Sequence, residues 1–62
     1  MKELDVVRLI TEFEGLPSGT KGTTVCEYDE KVFEVEFFDN NGDTIDVFTT
    51  PAEVIELLIA HK

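Results

Sequence analysis

The sequence predicts a small all-β domain, a barrel of about five short strands in which residues 1–62 form a single unit. Three observations carry this expectation. Residues 32–38 (VFEVEFF) alternate strictly, with Phe33, Val35 and Phe37 on one face and Glu34 and Glu36 on the other. That is the pattern of a strand with one buried and one wet face. Clusters of turn residues separate several short β-branched or aromatic runs. At 62 residues the chain has room for one small core, since a domain of this size buries only about 60% of its unfolded surface.

In chain order, residues 4–10 (LDVVRLI) read as the first strand. Residues 11–22 hold Gly15, Pro17, Gly19 and Gly22 and read as a long structured loop, with Phe13 and Leu16 folding back as its apolar anchors. Residues 23–28 (TTVCEY) form a second strand whose facing is ambiguous. Val25 points to one face inward and Cys26 with Tyr28 to the other, unless a bulge intervenes. A polar turn at Asp29-Glu30-Lys31 leads into the alternating third strand. Asp39-Asn40-Asn41-Gly42-Asp43 is a strong turn signal, and residues 44–50 (TIDVFTT) are the fourth strand.

The register of this hairpin follows if Ile45 and Val47 share the core face with Phe33, Val35 and Phe37. A two-residue turn would set Asp46 against Phe37 in the core. A three-residue loop, Asn40-Asn41-Gly42, pairs Phe37 with Ile45 and Val35 with Val47 instead. Glu36 then faces Asp46 and Glu34 faces Phe48 on the outside, with Phe38 nearby. The expected outer face is acidic with two aromatics. Phe38 and Phe48 equally suit burial beneath the long loop or the C-terminal segment.

The C-terminal segment reads in two ways. Thr50-Pro51-Ala52-Glu53 matches a capping box, so residues 54–60 (VIELLIA) could continue as a helix. Alternatively a short helical turn near Pro51 precedes a last strand with Ile55, Leu57 and Ile59 inward. The second reading is preferred, because four strands alone leave an open edge.

This order of parts resembles an SH3-like barrel. More narrowly, Asp5-Val6-Val7, residues 15–23 (GLPSGTKGT), residues 33–37 (FEVEF) and Thr50-Pro51-Ala52-Glu53 resemble an uncharacterised bacterial family of short proteins, a domain of unknown function. The resemblance implies a small partner-binding protein. Some members look to be encoded beside toxin-like genes, which implies an antitoxin or immunity role. The Gly19-x-x-Gly22 loop is also similar to that of RNA- and ribosome-associated barrels, but this chain lacks their basic face.

Charge narrows the partner class. Fourteen Asp and Glu against five Lys and Arg give a net charge of −9. Such a chain repels nucleic-acid phosphates and anionic membranes and suits a basic protein, although excess acid also serves solubility. Hydrophobic residues at 42% exclude a disordered chain. The lone Cys26 excludes an internal disulfide, and the acidic N-terminal residues lack a signal-peptide pattern, so a cytoplasmic location is expected.

No catalytic, metal or cofactor site is expected. Cys26 and His61 could pair only if the penultimate residue were held in place, and no oxyanion donor accompanies them. Residues 39–43 look like the start of a calcium loop, but its twelfth position is Thr50 rather than Glu. Glu34, Glu36 and Asp46 lie on an open strand face without a pocket to shift their pKa values. Gly19-Thr20-Lys21-Gly22 lacks phosphate-loop spacing. The expected function is a protein-interaction module that binds a basic partner through Glu34, Glu36, Phe38, Asp46 and Phe48. The alternative is a homodimer with Ile55, Leu57, Leu58 and Ile59 at its seam.

Overall fold

A computed structural model describes residues 4–59. Five strands form one antiparallel sheet: β1 (Val6–Leu9), β2 (Lys21–Asp29), β3 (Val32–Phe38), β4 (Thr44–Pro51) and β5 (Ile55–Ile59). A single 3-10 turn, Ala52–Val54, precedes β5. The spatial order is β4-β3-β2-β1-β5, so the first four strands meander and the last returns to pair with β1. This is the small all-β, barrel-like architecture expected, with the helical turn next to Pro51. No helix among the described residues is long and apolar enough to cross a membrane.

A flat single sheet has no second layer to cover its face. Val7, Leu9, Phe33, Val35, Phe37 and Ile55 are nevertheless buried. The sheet must therefore coil over its own inner face, and its register shifts in β2, β4 and β5 supply the bends. The long loop closes one side. Phe13 and Leu16 exchange backbone hydrogen bonds of 2.9 and 2.8 Å across a turn whose central residues, Glu14 and Gly15, have φ of 52° and 78°. Both side chains pack on the core as anchors. The Gly19 amide then donates to the Leu9 carbonyl at 2.7 Å, tying the loop back to β1.

The second strand begins at Lys21, so Gly22 belongs to the sheet rather than to the loop. It lies opposite Phe37, and a Cβ there would stand 2.8 Å from both the Glu36 carbonyl oxygen and Val35 Cγ1. Only a residue without a side chain lets β2 come this close to β3. The inner face of β2 is Gly22 and Thr24, while Val25 is exposed at a register shift. The sequence left the facing of this strand open; the shift turns Val25 out, and Cys26 beyond it pairs with Glu34 on the outer face. Buried Thr24 is satisfied locally, its Oγ1 accepting the Asp5 amide at 3.0 Å.

The β3–β4 register corrects the expectation most. The three-residue loop forms: the Asp39 amide donates to the Asp43 carbonyl at 2.9 Å, around Gly42 with φ 84°. Phe38 then pairs with Thr44, as that loop requires. One residue later the register shifts, and Phe37 faces Asp46, Val35 faces Phe48 and Phe33 faces Thr50. Ile45 is the extra residue. A single-residue slip exchanges the two faces of a strand, so Ile45 and Val47 are exposed whereas Phe48 packs inward and Thr50 is fully buried. The inward position of Asp46 is tolerated because it lies on an edge strand, where the residue stays exposed. Its Oδ1 accepts the Val47 amide at 2.8 Å.

The C-terminal segment takes the turn-and-strand form. The capping box is absent: Pro51 is the N-cap without a side-chain bond, and the Thr50 hydroxyl donates to the Phe48 carbonyl at 2.9 Å. Ile55 is extended and buried. Leu57 and Ile59 do not join it in the core: Leu57 keeps the inner face but lies 46% exposed at the sheet edge, and the register shift at Leu58 puts Ile59, 64% exposed, on the outer face beside Val6.

Candidate interaction surface

Strand pairing arranges the outer face in rows. One row runs Glu56–Arg8–Lys21–Phe38–Thr44 across β5, β1, β2, β3 and β4. The next runs Ile59–Val6–Thr23–Glu36–Val47. A third joins Cys26, Glu34 and Thr49. Each row is one residue per strand, set by the alternation of the pleat.

Of the residues expected to bind a partner, Glu34, Glu36 and Phe38 lie together on this face. Asp46 and Phe48 lie on the other. Phe48 meets Phe13 edge-on and Phe37 at a tilt, each with ring centroids 6.2 Å apart. Asp46 therefore does not face Glu36; Val47 does. The apolar neighbours that the sequence placed inside, Ile45 and Val47, stand beside the carboxylates instead. The adjacency of Val47 and Phe48, two apolar residues in succession, was the one trace of this change in the sequence.

Hydroxyl groups hold the carboxylates. Tyr28 Oη donates to Glu34 Oε2 at 2.6 Å, and Thr49 Oγ1 donates to Glu34 Oε1 at 3.4 Å. Thr44 Oγ1 donates to Glu36 Oε2 at 2.6 Å. Nothing in the residue spacing foretold these donors, because each depends on register. Among the described residues, the Arg8 guanidinium pairs with Glu56, and no cation meets Glu34 or Glu36. Lys21 borders a shallow groove of about 510 Å³ between the long loop and the β3–β4 hairpin, with Pro17, Phe38 and Ile45 on its walls.

The hydrogen bond to Glu34, and then the repulsion between that carboxylate and a phenolate, push the Tyr28 pKa above 10.0. Tyr28 is the one tyrosine of a chain without tryptophan, so tyrosinate absorbance reads it cleanly. Glu34→Gln is expected to move the midpoint down toward the ordinary phenol value. An unchanged midpoint would remove the contact. Because the folded pKa is raised, its contribution to stability is present below the unfolded value and lost as pH climbs through the folded one.

Other chemistry is sparse. Cys26 is half-buried opposite Glu34, and His61 lies outside the described residues. The Asp39 carboxylate serves its own turn, with Oδ1 accepting the Asn41 and Asp43 amides at 2.8 and 3.0 Å. No group of three or more His, Cys, Asp or Glu among the described residues is placed to hold a metal ion.

Comparison with curated proteins and with solved structures found no match. The family model described as domain of unknown function (DUF4926) matches residues 3–57, which takes in all five strands but the end of β5, and the chain belongs to that family.

Proposed function

We propose that this domain is a non-catalytic protein-interaction module that binds a basic partner through the outer face of β2, β3 and β4. Glu34 and Glu36 would accept Lys or Arg side chains, and Phe38, Ile45 and Val47 would supply apolar contact. The observation that carries the reading is the state of the two carboxylates. They are oriented by Tyr28, Thr49 and Thr44, yet no cation among the described residues neutralises them. Preoriented acceptors on a chain of net charge −9 favour fast encounter with a cationic surface.

The most concrete version is an antitoxin- or immunity-like inhibitor of a basic protein in the bacterial cytoplasm. The acidity and the resemblance stated above support it. The test is co-expression with the product of the adjacent gene, followed by affinity measurement at low and moderate salt. Glu34→Lys/Glu36→Lys is expected to weaken binding at least tenfold, about 1.4 kcal/mol or more. Equal affinity for both proteins at both salt concentrations would reject this surface.

A further inference from the structure

We infer that the domain self-associates through β5, two copies meeting about a two-fold axis with Leu57, Leu58 and Ile59 at the seam. The open sheet has two edges, β4 and β5. Each carries one register shift, at Ile45 and at Leu58, so bulging does not distinguish them. Charge does. The β4 edge presents Asp46 on its inner face, follows the Asp39 and Asp43 turn, and lies beside Glu34 and Glu36 on β3. An inward carboxylate on an edge strand is a known deterrent to edge pairing. The sole charged residue of β5 is Glu56, and Arg8 on β1 neutralises it.

For a protein of net charge −9, a second copy is repelled less where like charge is sparse, and β5, with one carboxylate already paired to Arg8, carries less of it than the β4 edge. The strand is also apolar on both sides. Leu57 pairs with Val7 on the inner face, Ile59 pairs with Val6 on the outer face, and Leu58 is the extra residue between them. These three consecutive residues are 46%, 41% and 64% exposed. An edge strand left in water alternates polar and apolar residues; this one does not. A two-fold contact requires a self-complementary patch, which a short apolar strand antiparallel to its own copy provides. Five residues give a small interface, so the association is weak and concentration-dependent.

The test is sedimentation equilibrium of the wild type, Leu58→Lys and Asp46→Lys over a wide concentration range at low and high salt. Wild type is expected to approach twice the monomer mass, more readily at high salt, where screening reduces repulsion between two acidic copies. Leu58→Lys is expected to stay monomeric, and Asp46→Lys, on the β4 edge and away from the outer face, to follow the wild type. Circular dichroism checks folding, and Ile59→Lys replaces Leu58→Lys should the latter unfold. A wild type that remains monomeric at high concentration and high salt overturns the inference. So does a dimer that survives lysine on β5, or one lost with lysine on β4. Neither result bears on binding by Glu34 and Glu36, because Leu58 lies on β5 and Asp46 on the opposite face of the sheet.

Discussion

Gly22→Ala is expected to destabilise the domain by about 1–3 kcal/mol, the usual range for overfilling a packed site. The new methyl would sit 2.8 Å from the Glu36 carbonyl oxygen, 2.8 Å from Val35 Cγ1 and 3.1 Å from Phe37 Cδ1. A rotamer change can relieve the side-chain overlaps. The carbonyl is part of the β2–β3 ladder, so relief there means spreading the two strands. A core of this size rarely supplies more than about 3–5 kcal/mol, so one methyl removes a large share of the total. Urea unfolding followed by circular dichroism measures the loss. Combining Gly22→Ala with Val35→Ala is expected to show favourable coupling, but only partial rescue, because the backbone overlap persists. A Gly22→Ala protein within about 0.5 kcal/mol of wild type would mean that the strands do not approach this closely.

Phe48→Ala is expected to cost about 3 kcal/mol, the lower end for a phenylalanine in a core because the ring keeps some exposure. Val47→Thr, one residue away, is expected to change stability by no more than about 0.5 kcal/mol. The ordering follows from the register shift at Ile45. Phe48 packs against Phe13 and Phe37, whereas Val47 lies in water opposite Glu36. A hairpin without the shift would reverse the two effects, with Val47 in the core and Phe48 outside. Equilibrium unfolding of the two variants therefore tests the register directly. A large loss for Val47→Thr with a small one for Phe48→Ala would overturn it.

Much of the fold was legible in the chain because it is encoded locally. Phe33, Val35 and Phe37 alternate with glutamates, and all three are buried. Gly42 ends a three-residue loop that forms as its turn chemistry requires. Phe13 and Leu16 anchor the long loop. The site was only half legible. Glu34, Glu36 and Phe38 share a face because their own strand says so. Asp46 and Phe48 were assigned through a pairing that held for a single rung and then slipped.

Local alternation, turn residues and charge thus determined by themselves an acidic β domain, its core strand and its loops, while the last segment, open between helix and strand in the sequence, became β5 only by pairing with β1. Which face each remaining strand turns inward was a tertiary decision. It rests on bulges at Val25, Tyr28, Ile45 and Leu58, none of which carries the glycine that marks one kind of bulge in a sequence. At Ile45 the competing arrangements differ in whole-sheet terms: one buries the Phe48 ring and leaves Asp46 at an open edge, the other buries Ile45 and Val47. Burying a ring against Phe13, a residue thirty-five positions away, is an energy that appears only once the loop has folded over the sheet.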